Sequence, residues 1–188
     1  MKKMFNILMV GVGGQGIILS SDILTRAALN SGYDVKKSEI HGMSQRGGSV
    51  SSHIRFGEKI YSPVISRSEA DFLISLEEME ILRWQKYLNY KTRILFLKNR
   101  ILPFTATKYP EGIEEEVTKR YKNTIVVDPE KLKEEIGHSK FINIAIVGLL
   151  SNFLSIDEAS WKESIKELVP QGTVDKNLNA FNVGKTLL

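Results

Sequence analysis

The chain has 188 residues and a mass of 21.3 kDa, enough for one compact domain with a sizeable core and too short for two. Hydrophobic residues make up 42% and charged residues 26%, and the 26 basic against 22 acidic side chains give a formal charge of +4; this balance excludes disordered and fibrous classes, and a basic excess spread along the chain does not indicate nucleic acid. Cysteine is absent, which excludes disulfides, a thiolate nucleophile, cysteine-bound zinc and iron–sulfur clusters ligated by this chain.

Met1, Lys2 and Lys3 precede a short apolar run that superficially looks like a signal peptide, but Asn6 interrupts it and a glycine cluster stands where a cleavage site belongs. Residues 5–10 read instead as a strand buried on both faces. Residues 17–28 read as the next helix, with Ile17, Leu24 and Ala28 on one face, and Ser31-Gly32 ends it. Residues 33–40 form a second strand, completing a strand–helix–strand unit with a right-handed crossover. This is the opening half of a doubly wound sheet.

Residues 49–56 are strand-like, with Val50, Ile54 and Phe56 on a period-two face, and Gly57-Glu58 turns the chain into residues 59–62 as a hairpin. Residues 71–76 return to a buried strand. Ser75 and Glu78 make a capping-box signature before a helix over 77–88 that carries Ile81, Trp84 and Leu88 at helical spacing. Strands follow at 92–97 and 124–127, and Asp128-Pro129-Glu130 opens a helix. The connection between those strands is poorly periodic, although Glu111, Glu114, Glu115 and Glu116 beside Lys119, Arg120 and Lys122 suit a solvated helix face.

Residues 141–154 are apolar on nearly all sides, yet they contain Asn143, Ser151 and Asn152 and fall short of the ~20 residues of a membrane span. They read as a core helix. A helix begun by Ser155 or Asp157 places Trp161, Ile165 and Leu168 inward, and a last helix covers 178–188. With no internal repeat or linker, residues 1–188 are expected to form a single α/β domain. Its expected form is a Rossmann-like three-layer sandwich, with a mostly parallel sheet, an inserted β-hairpin and C-terminal helices. No membrane segment is expected, and a cytoplasmic location follows mainly from absences.

Gly11-Val12-Gly13-Gly14-Gln15-Gly16 matches G-x-G-x-x-G between a strand and a helix, where backbone N–H groups and the helix end can hold an anion. A dinucleotide reading also needs an acid about 20 residues on, and Glu39 is near that place. Gln15 is a feature that the generic fingerprint does not explain, and such loops also serve simply to turn the chain. The second constellation runs from Glu39 and Ile40 through His41, Gly42, Met43, Ser44, Gln45, Arg46, Gly47 and Gly48. It follows the second strand and emerges at the same sheet edge. There Arg46 can clamp a carboxylate or phosphate, Gly47 and Gly48 allow close backbone approach, and His41 can move a proton. The blander readings are an Arg46 surface ion pair, a His41 strand cap and a glycine turn. Met43 is a candidate exposed apolar contact. No histidine pair has metal-ligand spacing, no G-x-S-x-G elbow is present, and no serine has an assignable histidine–acid partnership, so no metal or catalytic residue is assigned.

Together, the Gly11–Gly16 loop and the His-Gly-Met-x-Gln-Arg-Gly-Gly segment resemble the gamma domain of 2-oxoacid:ferredoxin oxidoreductases, most closely the beta subunit of the indolepyruvate branch. The likeness spans nearly the whole chain, because the 143–149 helix and Lys176-Asn177-Leu178-Asn179-Ala180-Phe181 resemble the family's closing helices. The resemblance implies a thiamine diphosphate ylid attacking a 2-oxoacid, release of CO2, acyl transfer to coenzyme A, and electrons passing through iron–sulfur clusters to ferredoxin. It places thiamine diphosphate, Mg2+ and the clusters in a larger partner subunit, with this chain binding none of them and inactive alone. The absence of cysteine fits that division independently. Carried onto this sequence, the matching positions are Gly11, Gly13, Gly14, Gln15 and Gly16, then His41, Gly42, Met43, Gln45, Arg46, Gly47 and Gly48, expected to face the large subunit or an anionic part of coenzyme A. Two other readings stand beside it: a self-contained dinucleotide-binding protein using Glu39 for a ribose, and an interaction module that only stabilises a partner.

Overall fold

A computed structural model of the chain describes residues 3–41, 48–103 and 106–188. In chain order it contains β1 (Phe5–Val12), α1 (Ile17–Asn30), β2 (Asp34–His41), β3 (Ser49–Gly57), β4 (Phe72–Ser75), α2 (Glu78–Trp84), β5 (Arg93–Leu97) and α3 (Ile113–Arg120). There follow β6 (Thr124–Val127), α4 (Pro129–Ile136), α5 (Ile142–Ser151), α6 (Glu158–Leu168) and α7 (Val174–Lys185). Every residue of β1 is buried, as an unbroken apolar run requires when both sheet faces are covered. The strands lie in the order β2-β3-β1-β4-β5-β6. β1, β4, β5 and β6 are parallel, while β3 runs antiparallel to both β1 and β2. The result is the mixed, mostly parallel α/β sheet with helices that the alternation of elements predicts.

The two faces of β1 serve two cores. Ile7 and Met9 pack with Ile54, Phe56, Ile74 and Leu95 against α1 and the C-terminal helices. Leu8 and Val10 pack with Leu73, Ile94 and Phe96 against α2 and α3. α5 fits its all-round apolar sequence, since each of its residues from Ile142 to Leu150 is buried. It meets α7 backbone to backbone: a Cβ on Gly148 would stand 2.1 Å from the Phe181 carbonyl oxygen, and one on Gly184 would stand 1.8 Å from that of Ala145. Among the described residues no helix is long and apolar enough to cross a membrane.

Several local expectations change in detail. The inserted hairpin exists, but its arms are β2 and β3, and residues 59–62 form no strand. Both edges of β3 are already occupied, by β1 and β2, so no ladder is open to that segment. Its backbone is held by side chains instead: Ile60 N–H donates to Asp34 Oδ2 at 2.8 Å, and Arg55 Nη1 donates to the carbonyls of Ser62 and Val64 at 3.1 and 3.3 Å. β3 also lies between the two strands of the β1–α1–β2 unit. The cap of α2 is Glu77, whose carboxylate accepts the Glu80 N–H at 3.0 Å; Ser75 Oγ instead donates to the Glu77 carbonyl at 2.6 Å. α2 ends at Trp84 and passes into a 3-10 turn over Gln85–Tyr87. Asp128 caps α4 with Pro129 in its first turn, as its sequence predicts, while Asp157 rather than Ser155 caps α6.

Two predictions follow from the packing. Gly184→Ala forces a methyl group into the Ala145 carbonyl, and should lower unfolding free energy by about 1–3 kcal/mol in urea; an unchanged midpoint contradicts this helix contact. His53 is 2% exposed, its Nδ1 accepts the Ile65 N–H at 3.3 Å, and the rings of Trp84 and Tyr87 stand edge-on to it. Burial first, and Lys86 second, hold its pKa below the ordinary 6.5. As pH falls through the unfolded value the unfolded chain takes up the proton first, so stability intact above that value is lost towards acid pH. His53→Leu should flatten that slope in a pH series of denaturation midpoints.

Candidate functional site

The first glycine loop leaves the carboxyl end of β1, next to that of β4, where the sheet order turns in opposite directions and α/β folds form their crevice. Gln15 fills this junction. Its Oε1 accepts the Val12 N–H at 2.8 Å, and its Nε2 donates to the Leu76 carbonyl at 2.6 Å, so one carboxamide spans the ends of β1 and β4. Gly11 has to be glycine for this to happen, because a Cβ there would lie 2.6 Å from Gln15 Oε1. Gly16 is the N-cap of α1 with φ 80°. A side chain on it would be strained and would meet Asn143 Nδ2 at 2.4 Å. Asn143, buried at the start of α5, donates through that amide to the Gly16 carbonyl at 3.3 Å and to Ser20 Oγ at 3.2 Å. The loop is therefore pinned from β4 on one side and from α5 on the other.

The first loop meets the last residue of the second segment. Gly13 N–H donates to the Gly48 carbonyl at 2.9 Å, which joins the first loop to the end of the second. Ser49 Oγ next to it donates to Glu80 Oε2. Gly42, Met43, Gln45, Arg46 and Gly47 lie outside the described residues, as does the side chain of His41; its backbone pairs with Val50 across the β2–β3 ladder.

Three glutamates that the residue pattern did not single out for the site organise its other side. Glu77, Glu78 and Glu80 follow β4 and are 0%, 0% and 2% exposed. Glu77 Oε1 accepts from Tyr109 Oη at 2.6 Å and Ile101 N–H at 3.2 Å; Glu78 Oε2 accepts from Arg100 Nε at 3.0 Å; Glu80 also accepts from Arg83 Nε and Trp84 Nε1. They tie the chain after β5 and the start of β3 to the β4–α2 turn. Burial is the leading cause that pushes the Glu77 carboxyl above its ordinary range, and burial with the Glu77 hydrogen bond raises Tyr109. In sequence these acids look like ordinary companions of a helix N-terminus; the usable signal is their density directly after a fully buried strand. Among the described residues no three His, Asp or Glu side chains gather as metal ligands.

The dinucleotide geometry is not reproduced. Because β3 separates β1 from β2, Glu39 stands two strand spacings away, roughly 10 Å, instead of on the adjacent strand. Its carboxylate is also engaged by Lys37 and Ser21. The third glycine, expected inside the helix for close packing on the strand, is here the cap before α1 and packs on α5.

A family profile described as "Pyruvate ferredoxin/flavodoxin oxidoreductase" matches residues 6–187. The chain is 38% identical over 187 residues to the indolepyruvate oxidoreductase subunit IorB of Archaeoglobus fulgidus, covering 95% of this chain and 92% of that protein. Its fold is similar to the gamma subunit of a keto/oxoacid ferredoxin oxidoreductase from Geobacter sulfurreducens PCA, with a TM-score of 0.72, 21% identity and 97% of each chain covered. A 2-oxoglutarate:ferredoxin oxidoreductase from Magnetococcus marinus, solved with 2-oxoglutarate, coenzyme A and succinyl-CoA bound, contains the same fold. There the TM-score is 0.77 at 20% identity, covering 100% of this chain and 31% of that one.

The Gln15 bridge makes its own prediction. Gln15→Ala leaves the Val12 N–H without a partner and the Leu76 carbonyl with only the Asn99 amide at 3.3 Å, and should cost about 1–3 kcal/mol in denaturant unfolding. A wild-type midpoint in the variant would show that the bridge contributes nothing to holding the loop.

Proposed function

The chain belongs to the pyruvate ferredoxin/flavodoxin oxidoreductase family and is a small subunit of the 2-oxoacid:ferredoxin oxidoreductase kind, and from that premise we propose that it serves an enzyme of the indolepyruvate type. The complex would decarboxylate an aryl 2-oxoacid oxidatively to its acyl-CoA and pass the electrons to ferredoxin. Nearly full-length likeness to an indolepyruvate oxidoreductase subunit supports the choice of branch. A cysteine-ligated iron–sulfur cluster does not fit this chain. It has no cysteine to hold a cluster, and its described carboxylates do not gather around a common cation position. On this reading thiamine diphosphate, Mg2+ and the clusters belong to a large partner subunit.

What this chain contributes is an edge. The observation that carries the reading is the Gly13–Gly48 hydrogen bond, which ties the first motif to the last residue of the second at the carboxyl end of β1. Amides of the first loop are committed to internal partners at Gly13 and Gln15, so the loop is rigid before anything binds. On this reading, Arg46 and the neighbouring glycines close the active-site cleft of the large subunit or hold an anionic part of coenzyme A, where a guanidinium gives bidentate contact. A site made in this way works only in the assembled enzyme.

The test is reconstitution with the large subunit. The isolated chain should show no 2-oxoacid-dependent viologen reduction, and the pair should show it. Arg46→Ala should raise the coenzyme A KM or weaken subunit association about tenfold, the worth of one charge-assisted contact. Unchanged steady-state kinetics together with unchanged subunit affinity would remove Arg46 from the site. Tight NAD or FAD binding by the chain alone would return the self-contained nucleotide reading.

A further inference from the structure

A cavity of about 460 Å³ opens beside the first glycine loop, bounded by Gly14–Gly16, the chain after β4 and β5, and the first turns of α4 and α5. It is made of described residues and owes nothing to the second loop. Its apolar wall is Leu19, Leu76, Leu97 and Ile142. Besides Ser139 and Gln15, whose carboxamide is already used, its polar side chains are of two kinds.

The first kind is a pair of carboxamides. Asn143, 7% exposed, turns its NH2 group to the Gly16 carbonyl, and Asn99 turns its NH2 group to the Leu76 carbonyl at 3.3 Å. Because both partners are carbonyl oxygens, the amide orientation is settled by chemistry: the nitrogen must face the carbonyl. Each side chain therefore keeps an Oδ1 acceptor, and among the described residues no donor reaches either one. The second kind is a pair of opposite charges. Lys140 and Glu130 both line the cavity, and Glu130 also meets Lys133 Nζ at 3.0 Å.

We propose that this cavity binds a free α-amino acid with an apolar side chain. The carboxylate meets Lys140, the ammonium group donates to the Asn99 and Asn143 oxygens with Glu130 nearby, and the side chain lies among Leu19, Leu76, Leu97 and Ile142. A simple carboxylate leaves the carboxamide oxygens unpaired on burial, and a simple amine gains nothing from the solvated Lys140 ammonium; a zwitterion uses both ends at once. The volume lies within the range of small-molecule sites, with mostly apolar walls and a few polar anchors. The inference rests on the cavity alone and does not need the proposed enzyme activity.

The test is titration calorimetry of the purified full chain with L-leucine and L-phenylalanine, alongside the deaminated 2-oxoacid and the decarboxylated amine of each. The expected result is one saturable site per chain, with each analogue at least about tenfold weaker, the loss of one charged hydrogen bond. Lys140→Glu, at an exposed position, should weaken binding by at least as much, and Leu19→Trp, which fills the cavity, should abolish it. The proposal is overturned if no saturable heat appears at millimolar amino acid, if the 2-oxoacid binds as well as the amino acid, or if Lys140→Glu binds like the wild type. The last outcome keeps the test decisive even if Leu19→Trp does not fold.

Discussion

The carboxamide of Gln15 is the interaction on which the site depends. Two parallel strands of an α/β sheet separate at their carboxyl ends, and the backbone groups left there need partners. In a nucleotide-binding loop the phosphate supplies some of them. Here Gln15 joins the Val12 N–H to the Leu76 carbonyl without a ligand. Gly11 and Gly16 then have concrete reasons to lack side chains, one to admit Gln15 and the other to admit Asn143. The loop is closed by protein, and it is in this closed form that it offers Gly13 to Gly48.

The second determining feature is the position of β3. An antiparallel strand between β1 and β2 moves the end of β2 outward and brings the start of β3 back to β1. The acid that a dinucleotide would need is carried away from the crevice, while the end of the second glycine segment is delivered to the first. The same sequence of strand, helix and strand thus does not set an acid beside the first loop as a dinucleotide cleft would. The buried glutamates after β4 complete the arrangement. They take hydrogen bonds from Ser49, Arg83, Trp84, Arg100 and Tyr109, so their charge is used in tying three segments together. Burying such groups is costly unless they are paired; both oxygens of Glu77 and Glu80 have partners, while Glu78 relies on Arg100 at Oε2 and buries Oε1 without one.

Much of this was legible from residues alone. The double-sided burial of β1, the helices at α1, α5 and α6 and the Asp128-Pro129 opening of α4 all follow from local pattern, because apolar period and capping chemistry are local properties. The two motifs also carried the family, which the comparisons show. The strand partner of β3 was not legible: residues 59–62 have as much strand character as other short runs, and they are excluded only because β1 and β2 already occupy both edges. Capping by Glu77 instead of Ser75 was hidden for a similar reason, since both side chains can accept a backbone N–H and only the path of the turn selects between them.

By itself, then, the sequence determined the α/β class, the two glycine segments and the family, because periodicity, turn residues and motif spacing need no knowledge of distant contacts. Tertiary structure alone decided strand order, the work of Gln15 and Asn143, and the cavity beside them. Each of those depends on which groups meet across separations such as the 61 residues between Gln15 and Leu76 or the 127 between Gly16 and Asn143. A carboxamide can pair with almost any backbone group, so its partner is set by the packing that brings the two together.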